Sequence, residues 1–113
     1  MAYEETVSVA CINFHPEWGD KTANLAKMKT FTRDAAKQGN NIVIFPELAL
    51  SGYECSEEAA AEKTSCRMHT ELAEAIPGPS TEKMHELAKK LDVYIIFGMP
   101  EQDKTHHDRR YIS

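Results

Sequence analysis

The sequence has no long apolar run. Its longest, Ile42–Phe45 and Val93–Gly98, stop after a handful of residues, far short of the roughly 20 that a membrane-crossing helix needs. It has no basic block either. Lys89-Lys90 and Arg109-Arg110 are isolated pairs in a chain of net charge −5, which excludes a phosphate-tracking nucleic-acid surface. The opening Met1-Ala2-Tyr3-Glu4-Glu5 is acidic and lacks the apolar core of a secretion signal, so a cytoplasmic location is expected. No glycine-rich phosphate loop is present, since Pro77-Gly78-Pro79-Ser80 is too stiff to serve as one. Cysteine is scarce and unpaired in pattern. Cys11, Cys55 and Cys66 form no Cys-x-x-Cys, which argues against a disulfide framework and a structural zinc site. Cys11 falls in a predicted strand and is expected to be a small core residue. Cys55 and Cys66 lie in a loop or helix start where a thiolate is conceivable, but no nearby cation or helix N-terminus clearly activates them.

Metal ligands are missing in the same sense. His106-His107-Asp108 are adjacent, and neighbours on an extended chain point to opposite sides, which suits a solvated turn better than one ion. His15, His69 and His85 have no partner at ligand spacing. No cofactor and no metal are expected.

What is present is an alternation of strands and helices. Thr6–Phe14 is rich in β-branched residues and reads as a strand that Pro16 closes. Asp20 can cap a helix over Lys21–Gln38, with Leu25, Met28, Thr32, Ala35 and Ala36 on one face and Gly39 as its stop. Ile42–Phe45 is a short uninterrupted apolar strand of the kind covered on both faces, and the strand–helix–strand order predicts a right-handed βαβ unit. Ser56–Lys63 and Met68–Ala75 suggest two short helices, and Ile76-Pro77-Gly78-Pro79 breaks the second. Ser80 or Thr81 is expected to cap a helix carrying Met84, Leu87, Ala88 and Leu91, which Asp92 ends. Val93–Gly98 is a third strand, Gln102–Asp108 an exposed turn, and Arg109–Ser113 the start of a fourth strand. With 113 residues the chain can make at most one small α/β domain.

The chemistry concentrates after the second strand, in Pro46-Glu47-Leu48-Ala49-Leu50-Ser51-Gly52-Tyr53. Pro46 cannot donate to the ladder, and ligands of open α/β sheets bind beyond the carboxyl ends of strands. A carboxylate held there among Phe45, Leu48 and Leu50 would be partly desolvated, which raises its pKa and suits a general base. The plainer reading of Glu47 is a solvated glutamate at a strand end. Tyr53 either lines a pocket or packs under the loop. Glu101 repeats the device of a proline followed by a carboxylate after a strand. It is expected to anchor neighbouring loops by hydrogen bonds more than to react.

Phe45-Pro46-Glu47-Leu48 with Gly52-Tyr53 resembles the first catalytic motif of the carbon–nitrogen hydrolase family (the nitrilase superfamily). The likeness runs from Val7 to Ser113, through Asn24 near the start of the first helix, Pro77-Gly78-Pro79-Ser80 and Val93–Gly98 with Glu101 beyond it. Tyr111 is similar to the tyrosine that opens the family's next strand, although Ile112 stands where the family usually has asparagine. The resemblance implies an α/β fold, the N-terminal part of a four-layer αββα sandwich. It implies hydrolysis of a small-molecule amide, carbamoyl or nitrile, more amidase- or carbamoylase-like than membrane-bound acyltransferase, by a homo-oligomer without metal. Glu47 would be the general base of a Glu-Lys-Cys triad and Tyr53 a substrate-binding residue. The family's lysine and cysteine come later in the chain than Ser113, so Lys104, Cys55 and Cys66 do not take those roles. Residues 1–113 are thus expected to be the N-terminal portion of a single incomplete domain, with one sheet face uncovered. Two alternatives are an inactive nitrilase-like piece acting through a partner chain and an unrelated small α/β binding module.

Overall fold

The computed structural model describes residues 6–52 and 71–102. Five elements follow one another: β1 (Val9–Cys11), α1 (Lys21–Lys37), β2 (Ile42–Ile44), α2 (Pro79–Leu91) and β3 (Tyr94–Ile96). The strands form one parallel sheet in the order β1-β2-β3. Val9, Ile42 and Tyr94 lie side by side, then Ala10, Val43 and Ile95, then Cys11, Ile44 and Ile96.

This order decides which face is covered. The sheet steps twice in the same direction, and right-handed crossovers then place both helices on one side. That side carries the middle row, where Val43 is fully buried and Ala10 and Ile95 pack against the core. Leu25 and Met28 of α1 and Met84 of α2 meet Val43, Phe45 and Leu50 there. Each such buried side chain contributes about 1.5–3 kcal/mol relative to leaving it in water. Phe14 joins the layers, with its ring 5.7 Å from Phe31 and edge-on to Phe45 at 6.0 Å.

The opposite face is open. Val9 is 46% exposed, Tyr94 75% and Ile96 54%. Among the described residues no element covers this face of the apolar strands. Cys11 belongs to the same row as Ile44 and Ile96, so it is exposed and not the core residue expected from its strand position.

The helix ends follow local chemistry. Asp20 caps α1 by accepting the Ala23 amide at 3.0 Å, and Gly39 takes the left-handed conformation at φ 88°. At α2 the cap is one turn earlier than expected. Gly78 is the cap residue, and the Thr81 hydroxyl accepts its amide at 2.7 Å, so Thr81 closes the first turn from inside the helix. The helix predicted to run through Ala75 is already over at that point. Glu71 and Leu72 are helical, but Glu74 is extended, with a parallel bridge to Glu101. The amide of Glu74 donates to the Pro100 carbonyl and its own carbonyl accepts from Gln102, which outweighs the helical propensity of the segment. The Ser56–Lys63 helix and the fourth strand lie outside the described residues. No described helix is long and apolar enough to cross a membrane.

Candidate active site

Beyond β2 the last ladder bond is Phe45 N–H to the Ile96 carbonyl at 2.8 Å. Pro46 has no amide to continue it, and the chain turns. Leu48 sits in the left-handed region at φ 52°, uncommon for a branched side chain. Gly52, also left-handed at φ 76°, closes the loop by donating its amide to the Leu48 carbonyl at 2.8 Å. Leu48, Ala49, Leu50 and Ser51 are all buried, so this is a loop with its side chains packed inward.

Two neighbours fix the loop. Asn24, fully buried in the first turn of α1, donates to the Leu50 carbonyl at 2.8 Å and the Glu17 carbonyl at 2.7 Å, and accepts the Glu17 amide at 2.7 Å. Gly19 N–H adds a bond to the Ser51 carbonyl at 2.9 Å. The turn after β1 and the loop after β2 are therefore one hydrogen-bonded unit at the carboxyl edge of the sheet. From the other side Gly98, just past β3, lies against the backbone of Glu47 and Leu48.

Glu47 stands at the carboxyl end of the central strand, as its place in the sequence predicts, but it is exposed. The partial desolvation expected from Phe45, Leu48 and Leu50 is absent in this structure, because all three side chains enter the core beneath the loop and leave the carboxylate outside. Tyr53 lies outside the described residues, as do Cys55, Cys66, His69 and His106-His107-Asp108. His15 and His85 are exposed, and among the described residues no group of three or more His, Cys, Asp or Glu is placed to hold a metal ion. Glu101 is half-buried, and the anchoring expected of it is carried by the main chain around it.

A second carboxylate, for which the local sequence carries no signal, is the more constrained one. Glu74 is 9% exposed. Its Oε2 accepts from Lys21 Nζ at 2.8 Å and from the Ser80 hydroxyl at 2.6 Å, and its Oε1 accepts the Ser80 amide at 2.9 Å. Burial alone would push its pKa up. The bonds from Lys21 and Ser80, with the lysine charge behind them, outweigh that and hold it below the usual carboxylate value. Lys21 also donates to the Leu72 carbonyl at 3.2 Å. This cluster joins the starts of both helices to the segment that pairs with the exit of β3, and its signal lies in tertiary placement, with Lys21 and Glu74 being 53 residues apart.

Comparison with known proteins gives concordant results. The family model described as carbon-nitrogen hydrolase matches residues 8–113. A Schizosaccharomyces pombe protein described as a probable nitrilase is 34% identical over 109 residues, spanning 94% of this chain and 36% of its own. The omega-amidase NIT2 of Mus musculus is 39% identical over 84 residues, 74% of this chain and 26% of its own. Among solved structures, an amidase from Nesterenkonia sp. superposes with TM-score 0.61 at 18% identity, over 86% of this chain and 33% of the amidase. The glutamine-dependent NAD+ synthetase of Acinetobacter baumannii gives TM-score 0.55 at 23% identity, over 91% of this chain and 17% of the synthetase. The chain thus spans between 26% and 36% of the length of these two curated relatives.

Proposed function

The chain belongs to the carbon–nitrogen hydrolase family, and from that premise we propose that Glu47 is the general base in hydrolysis of a small amide, carbamoyl or nitrile. The observation that carries this reading is placement. Glu47 is the one carboxylate on the loop that leaves the central parallel strand, where ligands of open α/β sheets bind, and the main chain on both sides of it is fixed. In this reading residues 1–113 are the N-terminal portion of a longer domain. The remainder covers the open sheet face, removes Glu47 from bulk water, and brings a lysine and a cysteine.

The chemistry then runs in two halves. Glu47 accepts the thiol proton as sulfur attacks the carbon of the substrate, and the lysine stabilises the charge that develops there. With an amide, nitrogen leaves carrying a proton and a thioester remains. Glu47 next draws a proton from water, which attacks the thioester, releases the acid and returns the thiol. Tyr53, one residue beyond Gly52, contacts the substrate. General-base assistance of this kind is worth about 10²–10⁴-fold. Glu47→Gln in the full-length enzyme should therefore lower kcat by roughly 10³-fold or more while leaving the thermal midpoint near the parent's, since glutamine keeps the shape of the side chain and removes only the proton acceptor. Amide hydrolysis retained in that variant removes Glu47 from the mechanism.

A second reading draws on the open face of Val9, Tyr94 and Ile96. Here the chain is catalytically inactive and acts by pairing that face with a partner chain. Turnover of simple amides by the 113-residue chain alone, sensitive to thiol alkylation, would count against it.

A further inference from the structure

Gly98 is half-buried where the chain leaves β3, and what surrounds it is main chain. A Cβ there would stand 2.8 Å from the Leu48 nitrogen, 3.1 Å from Glu47 Cα and 3.3 Å from the Glu47 carbonyl carbon. The first distance falls about 0.6 Å short of the 3.4 Å at which ordinary contact begins. A flexible side chain could swing aside. Peptide atoms cannot, unless the whole Glu47–Leu48 unit moves with them.

The conformation of Gly98 does not require glycine, because its φ is not in the left-handed region. Space requires it. Gly39 is the converse case, left-handed with nothing within 4 Å of an added Cβ. The Glu47–Leu48 peptide also has few ways to yield. Phe45 is bonded to Ile96 just before it, Gly52 is bonded to Leu48 just after it, and Leu48, Ala49 and Leu50 are packed in the core. Leu48 already holds a left-handed conformation, which is strained for a branched side chain. The remaining freedom is outward, and outward movement carries Glu47.

The geometry points to Gly98 as a positioning residue for the base: the absent side chain lets the exit of β3 seat directly on the peptide that follows Glu47. The inference rests on Glu47 being the base, and it predicts a kinetic signature that fold stability alone does not give. Displacing a catalytic group by a fraction of an ångström to 1 Å can cost on the order of 10²-fold in rate without changing what binds the substrate. Gly98→Ala in the full-length enzyme should therefore lower kcat by about 10²-fold, with KM within about threefold of the parent's.

The test compares the parent with Gly98→Ala, Gly39→Ala and Glu47→Gln, by steady-state kinetics on a simple primary amide and by thermal unfolding. Amide hydrogen exchange at Gly52, whose N–H is held by the Leu48 carbonyl, reports the loop directly. The expected result is a kcat loss in Gly98→Ala well beyond that of Gly39→Ala at comparable stability, with faster exchange at Gly52. A Gly98→Ala enzyme within threefold of the parent in kcat, or one whose loss matches that of equally destabilised Gly39→Ala, overturns the inference. If Glu47→Gln stays active, the base assignment fails by itself. The exchange rate at Gly52 then still decides whether Gly98 seats the loop, and unchanged exchange rejects it.

Discussion

With its side chain fully buried, Asn24 spends both amide hydrogens and its oxygen on the main chain of two loops, those of Glu17 and Leu50. No other residue type of this size offers two donors and an acceptor in one plane. Removing it strands the buried Leu50 carbonyl, and an unsatisfied buried group costs more than the net worth of the bond it lost. Asn24→Ala should destabilise the fold by about 2–4 kcal/mol, read as a lower urea midpoint with unchanged slope. Asn24→Asp separates geometry from charge. It keeps the acceptor, loses both donors and turns a carboxylate toward two carbonyl oxygens. Its folded-state pKa is then raised, so its deficit should shrink as pH falls, the opposite of the parent's trend. A deficit that is flat between neutral and acid pH would mean that only packing is lost. In the sequence Asn24 is legible as a position near a helix start that matches a family pattern. Its partners lie 7 and 26 residues away, so neither burial nor bonding can be read there.

At the scale of elements, periodicity and punctuation locate every strand and helix among the described residues. Gly39, Pro46 and Asp92 fall where elements end because each acts through its own backbone, Asp92 by taking φ 55° at the end of α2, whereas Pro16 lies past the end of β1 at Cys11 and does not close it. Strand lengths are less legible. The nine-residue Thr6–Phe14 stretch contributes only Val9–Cys11 to the sheet, because a ladder is as long as its partner allows. The carboxyl edge depends on a pairing that local sequence does not encode, the Glu74 cluster with Lys21 and Ser80. Its pH behaviour follows from the direction of the shift. The folded pKa of Glu74 is depressed, so its contribution is present above the unfolded value near 4.5 and is lost as pH falls through the lower folded value. Stability should therefore decline below about pH 4.5. Lys21→Met should cost about 1–3 kcal/mol at neutral pH, since it leaves a buried carboxylate with only Ser80. The same variant should flatten the acid decline, because Glu74 no longer gains as much by ionising. An acid-unfolding profile that keeps the parent's slope in Lys21→Met would assign the pH dependence to other carboxylates.

For the whole molecule the asymmetry between the sheet's two faces dominates. Both crossovers lay helices on the Val43 side, and no described element covers Val9, Cys11, Tyr94 or Ile96. Apolar runs in parallel strands imply two covered faces, and the sequence shows this for Ile42–Phe45 and Val93–Gly98 alike. What it does not show is which face the helices take, since that follows from strand order. Substitutions on the two faces should therefore behave differently in the 113-residue chain. Met28→Ala on the covered side opens a cavity and should cost about 2–5 kcal/mol. Ile96→Lys removes a side chain that already meets water, so its cost should stay near 0.5 kcal/mol or less. It should also lower binding of a hydrophobic dye, because it breaks up an apolar patch. In the longer enzyme proposed above the ranking should reverse in its consequence. If a second layer seats on the Ile96 row, a lysine there buries an unpaired charge, and soluble active enzyme should be lost. Equal tolerance of Ile96→Lys in both lengths of chain would mean that the row stays in water, and Glu47 would need another source of shelter.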